Sequence, residues 1–101
     1  MEDAIMVHKN ELVYYDRKGT VNKHMRYNAE NIKGILFEYR ELKRWFGLRK
    51  ELVEVIVITV DDRDTPIEIW EHKEENFRRY MGRLRTFVDE NKVPLEIRRP
   101  D

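Results

Sequence analysis

The chain has no cysteine and no serine, only four glycines and three prolines, and no long apolar run. Without cysteine there is no disulfide framework, no thiolate nucleophile and no Cys-based zinc site, which fits a reducing compartment. Without serine the usual hydrolase nucleophile is missing, and Thr20, Thr59, Thr65 and Thr86 have no obvious base beside them in sequence. The glycines, Gly19, Gly34, Gly47 and Gly82, lie too far apart for a phosphate-cradling loop. No apolar stretch approaches the roughly 18 residues of a membrane span. The opening MEDAIMVHKN lacks the basic start and apolar core of a secretion signal. The expectation is a cytoplasmic, non-catalytic protein with no cofactor and no metal.

An overall positive charge is missing as well, since the formal net charge is zero. A nucleic-acid binder usually carries a domain-wide excess of bases. The charge is segregated instead: residues 40–50 are net +4, residues 51–75 net −7, and residues 76–99 net +4. Charged residues make up 40% of the chain, against about 25% in an average domain. Both a surface ion-pair network of the thermophile kind and the large surface of a small soluble protein give such a figure. At 101 residues the chain has room for a single domain and one core.

What is present in quantity is β-branched side chains, concentrated in residues 52–60, LVEVIVITV. Such side chains suit a pleated strand better than a helix. Apolar residues on both parities predict a strand with protein on both faces. The acidic DDRDTP stops it, and IEIWE resumes with a two-residue period, which predicts a hairpin. Upstream, AIMVH (residues 4–8) and LVYYD (12–16) read as two short strands around a turn at Lys9 and Asn10. Residues 21–27 alternate after the turn DRKG, completing a three-stranded meander with one solvated face.

Residues 28–46, NAENIKGILFEYRELKRWF, read in two ways. As a helix, Ile32, Ile35, Leu36, Tyr39, Leu42 and Phe46 share one face, and the chain is a β-meander–α–ββ–α sandwich. As a short turn at NAEN followed by a strand, Ile35, Phe37 and Tyr39 share one face. Gly34 costs a helix about 1 kcal/mol relative to Ala, and Phe37 would fall on its polar side. Both favour turn plus strand. Residues 74–91 predict a helix, with Phe77, Tyr80, Met81, Leu84, Phe87 and Val88 as its apolar stripe. Glu74 and Glu75 would lie near the positive end of its dipole. Asn91 and Pro94 bracket its stop, and VPLEIRR offers one more extended segment.

The fold class expected is α+β: an antiparallel sheet or partly open barrel of about six strands, closed by one C-terminal amphipathic helix. The order of elements in residues 28–88 resembles bacterial pleckstrin-homology-like domains. The shared features are a turn before a strand, a basic loop with aromatic residues and Gly, a β-branched strand, a charged hairpin and a closing helix. The resemblance implies a bent, partly open barrel plugged by the helix, and binding of lipids, peptides or proteins instead of catalysis. Phosphoinositide-binding members place several bases in the first strand–loop–strand unit. Here that unit, MVHKNELVYYD, offers only His8 and Lys9, which argues against inositol-phosphate recognition.

The candidate binding stretch is KRWFGLRK: Trp45 and Phe46 inside a ring of Lys43, Arg44, Arg49 and Lys50. Aromatics among bases suit an acidic partner, stacked nucleobases or a membrane surface. The plainer reading folds Trp45 or Phe46 onto the core and leaves the bases solvated. On the helix, Arg78, Arg79, Arg83 and Arg85 flank the apolar stripe on both sides, which suits pairing with the acidic hairpin. His8, His24 and His72 lack ligand spacing, and Asp61, Asp62 and Asp64 lack the other oxygen positions of a calcium loop. The functional expectation is an interaction module that holds a protein partner, or a second copy, by a sheet edge or by residues 43–50. The alternative is binding of nucleic acid or an anionic surface, including peripheral membrane contact, through the basic loop and helix arginines.

Overall fold

The computed structural model describes residues 4–16, 23–44 and 49–99. The fold is α+β, with seven strands in two sheets and one C-terminal helix. One sheet is the meander β1 (Ile5–Val7), β2 (Glu11–Asp16) and β3 (Lys23–Asn28), antiparallel throughout. The other has the order β6-β5-β4-β7, from β4 (Ile32–Arg44), β5 (Arg49–Val60), β6 (Ile67–Trp70) and β7 (Leu95–Ile97). Helix α1 (Phe77–Asn91) stands between β6 and β7 in the chain.

The expected architecture is the observed one: the sheets stay open, and seven strands among the described residues answer to the six or so expected. Two details differ. The sheet is not wholly antiparallel. Residues 95–97 return from α1 alongside β4 in parallel, with Ile35 opposite Leu95 and Phe37 opposite Ile97. A right-handed helix returning the chain to the sheet edge permits this pairing without a turn. The helix itself begins three residues later than expected. Glu74 is extended and closes a short 3-10 turn (Glu71–Lys73), so the chain must reverse before Phe77.

The turn-plus-strand reading of residues 28–46 is the observed one. A 3-10 turn, Ala29–Asn31, leads into β4. Gly34 sits where the β4–β5 register slips by one residue, a bulge that a helix reading of the segment cannot contain. Inward-facing Ile35 and Phe37 of β4 oppose Ile58 and Ile56 of β5, which in turn oppose Ile67 and Ile69 of β6. These join Ile5, Leu12 and Tyr27 of the meander, and Phe77, Tyr80, Leu84, Phe87 and Val88 of α1, in one buried cluster. The helix stripe read from the sequence is thus the stripe that packs, with Met81 at its margin.

The second face of β5 is buried by an unexpected cover. Val53, Val55 and Val57 are buried yet lie outside the central cluster. Val55 is opposite Glu38 on one side and Trp70 on the other. Arg40 bridges Glu38 and Glu68, at 2.7 Å from each, and its guanidinium lies 5.4 Å from the centre of the Trp70 ring. Long charged side chains therefore screen the valines, their stems apolar and their heads in water.

The helix stops at Lys92, whose φ of 55° is left-handed. The Val93 amide then bonds the Val88 carbonyl, which caps the last turn. Asn91 donates from Nδ2 to the carbonyls of Lys9 and Phe87, tying the helix end to the β1–β2 turn. At the other end, the Ala4 amide donates to the Tyr80 hydroxyl at 2.9 Å.

Candidate functional site

The lengths of neighbouring strands decide where the sheet ends and a free arm begins. β6 pairs with β5 only from Val55 to Ile58, and β7 pairs with β4 only from Ile35 to Phe37. The β4–β5 ladder nevertheless runs on through Glu41–Leu52, Leu42–Glu51, Lys43–Lys50 and Arg44–Arg49. Residues 41–44 and 49–52 are therefore a two-stranded ribbon whose outer edges have no strand beside them among the described residues. Such edges present unpaired amides and carbonyls to an incoming strand. Leu52 is 56% exposed there.

This revises the expected loop. Lys43, Arg44, Arg49 and Lys50 are strand residues, and only 45–48 connect the strands. Trp45 and Phe46 lie outside the described residues. The sequence concealed the strand for a physical reason. A ribbon wet on both faces has no apolar alternation, and alternation is the signal from which strands are read.

The register sets Lys43 directly opposite Lys50 and Arg44 directly opposite Arg49. Like charges in facing positions destabilise a sheet. A carboxylate stands beside one of them: Glu41 meets Lys50 at 3.5 Å. Lys43 and Lys50 are both exposed. The sequence thus places two opposed cation pairs at the end of the ladder.

Below the arm, on the face that carries α1, lies Glu54. It is 8% exposed and meets Arg78 at 2.6 Å. Arg78 also holds Glu71 at 2.7 Å, and these carboxylates, Glu54 first, raise its pKa above the ordinary guanidinium value. One of the four helix arginines therefore pairs with the acidic segment in the manner expected. Arg79 bonds the Asn76 side chain. Among the described residues Arg83 and Arg85 have no carboxylate partner.

Between α1, β4 and β7 a cavity of about 330 Å³ is lined by Phe37, Tyr39, Met81 and Ile97. Arg85, Arg98 and Arg99 stand at its rim. Arg98 is held by Glu96, which raises its pKa. The sequence reading passed over this cavity, although one signal was available: Glu54 is the single charge inside the run LVEVIVITV.

The remaining candidates do not converge. His8 and His72 are exposed on separate elements, His72 edge-on to Trp70, and nothing is described of the His24 side chain. Asp61 and Asp62 form the β5–β6 turn; the Asp61 amide bonds the Asn31 carbonyl. Among the described residues no three His, Asp or Glu side chains are grouped to hold a metal ion. No described helix is long and apolar enough to cross a membrane.

Set against family models, curated proteins and solved structures, the chain matches none.

Proposed function

We propose that this chain is a non-catalytic binding module that holds an acidic protein partner with the outer end of the β4–β5 hairpin. The observation that supports the reading is the pair of opposed cations, Lys43 with Lys50 and Arg44 with Arg49, at the end of an unflanked ribbon. A partner carboxylate placed between facing cations relieves their repulsion, so binding gains what the free ladder lacks. The open ribbon edges add backbone hydrogen bonds to a partner strand. A protein is favoured over nucleic acid because Glu41 and Glu51 lie within the same ribbon. A phosphate backbone tracking the arm would meet them, whereas a protein surface can match both signs.

Trp45 supplies the test, since a Trp70→Phe variant leaves it as the only indole. Its emission is expected to be red-shifted and quencher-accessible in the free protein, and to shift to the blue when polyglutamate is added at low salt. Lys43→Glu abolishes that response. A blue-shifted, protected emission in the free protein, with a large stability loss on Trp45→Ala, would make the residue part of the core and remove the site. A response to polyuridylate or anionic vesicles but not to polyglutamate would transfer the site to the nucleic-acid or membrane-surface alternative. Sedimentation as a concentration-dependent dimer would make a second copy the partner.

A further inference from the structure

The exposed face of α1 holds a residue whose identity the fold does not explain. Gly82 is the sixth of fifteen residues in the helix. A glycine there costs about 1 kcal/mol relative to alanine. Gly34, the other described glycine, has the Pro94 carbonyl 3.7 Å from where a Cβ would stand; a Cβ at Gly82 would meet nothing within 4 Å. Among the described residues, neither packing nor an unusual backbone angle requires Gly82.

Its surroundings point outward. Gly82 lies on the shared wall of two cavities. One is the 330 Å³ cavity with the exposed side chains of Tyr39 and Ile97. The other, of about 560 Å³, lies between α1 and β1 and is lined by Val7, Phe87, Arg79 and Arg83. With no side chain at Gly82, the helix surface is low between the two cavities, which lie side by side as a trough across α1. Arg83, Arg85 and Arg99 line this trough without a carboxylate partner among the described residues. Glu54 is already satisfied by Arg78, leaving Glu90 as the other acid at the walls.

We propose that this trough is a second docking surface, and that its occupant is an acidic segment of a partner protein whose main chain crosses α1 over Gly82. The absence of a side chain lets a foreign backbone approach the helix closely. Aliphatic residues of the segment fill the pockets beside Ile97 and Val7, and its carboxylates meet Arg83, Arg85 and Arg99. The occupant is a peptide and not a nucleic acid because the exposed apolar walls are side-chain pockets at Val7, Met81 and Ile97, Phe37 and Phe87 are buried, and the exposed rings, Tyr39 and His8, stand in different pockets where successive bases could not stack on both. This surface is distinct from the hairpin arm, and the two are separable by mutation.

The test is fluorescence anisotropy at low salt with a labelled peptide of alternating glutamate and leucine. Gly82→Leu is expected to fold, because leucine favours helix and its Cβ enters open space. It should weaken peptide binding about tenfold or more, the equivalent of about 1.4 kcal/mol. Arg85→Glu combined with Arg99→Glu should do the same with an unchanged melting temperature. Lys43→Glu on the arm should leave this affinity intact. A wild-type chain that ignores the peptide, or Gly82→Leu binding as well as wild type while circular dichroism shows a native helix, would overturn the proposal. So would loss of peptide affinity in Lys43→Glu alone, or displacement of the peptide by polyuridylate.

Discussion

At its inner end the β4–β5 hairpin is the middle of a four-stranded sheet; at its outer end, among the described residues, the same two strands have only each other. The inner end is closed by hydrophobic burial on one face and by the Glu38–Arg40–Glu68 screen on the other. The outer end has backbone hydrogen bonds, a contact between Lys50 and Glu41, and two pairs of basic residues in facing register. A two-stranded ribbon alone is marginal in water. The arm therefore persists because the sheet below it fixes its register, not because its own residues favour it. Residues freed from a stabilising duty in this way can be selected for contact with something else.

The comparison breaks most visibly through the core. Ile56→Ala, at the inner end, should cost about 2–5 kcal/mol in a denaturant titration, since a fully buried isoleucine leaves a cavity. Leu52→Ala, four residues along the same strand, should stay within about 0.5 kcal/mol. Equal losses would mean that the arm is packed, and the distinction between the two ends would fall.

Arg78 marks the border between the two regions, and its removal should have the next largest effect. Arg78→Ala strands the nearly buried Glu54 without its 2.6 Å partner. Leaving such a group unpaired costs about 1–3 kcal/mol. Its neighbour Arg79, bonded only to Asn76 among the described residues, should lose less than about 0.5 kcal/mol on the same substitution. Thermal melts of the two variants side by side decide the point. If they match, Glu54 is hydrated and the border lies deeper.

The same two regions explain what could be read from the residues alone. Wherever one side of an element meets the core, the sequence declares it: the β5 run, the α1 stripe and the Ile35–Phe37 face of β4 each show their period, and each packs accordingly. The arm has no core side, so its strands looked like a loop. β7 was legible only as an extended segment. Three residues cannot specify a parallel partner, and the pairing depends on where α1 delivers the chain. The opposed cations were visible as composition but not as geometry, because their facing register follows from ten paired positions set lower down. Gly82 and the trough were invisible for another reason. An exposed glycine reads as a weak helix position until the space around it is seen.

A smaller effect separates the core from the arm by pH. Tyr27 is buried, and burial, aided by the nearby Asp62 carboxylate, raises its pKa above the usual 10.0. The folded state then holds a proton that the unfolded state releases. Stability from this source is complete below pH 10 and declines as pH rises through the raised folded value. Tyr27→Phe should flatten this alkaline decline in stability measured against pH. A decline of the same steepness in the variant would assign it to other groups.

The smallest effect is the most specific, because it concerns the facing lysines alone. Lys43→Glu converts a like-charge pair with Lys50 into an opposite-charge pair, while Glu41 keeps its own contact with Lys50. Cross-strand pairs of this kind are worth roughly 0.2–1 kcal/mol. The arm opens locally, so global unfolding should scarcely register the gain. Hydrogen exchange of the arm amides at Leu42 and Glu51 is the proper readout. At low salt, exchange there should be slower in Lys43→Glu than in the wild type, and Lys43→Ala should fall between them. Added salt should slow exchange in the wild type by screening repulsion, and speed it in Lys43→Glu by screening attraction. That opposite response to salt cannot come from a change in helix or core. The same variant is expected to lose the Trp45 response to polyglutamate, so the substitution that steadies the arm is the one that disables it. A stability gain joined to a binding loss is what a surface strained for function produces. If exchange is unchanged at low salt, the opposed cations carry no strain, and the strongest support for the arm as a contact surface disappears.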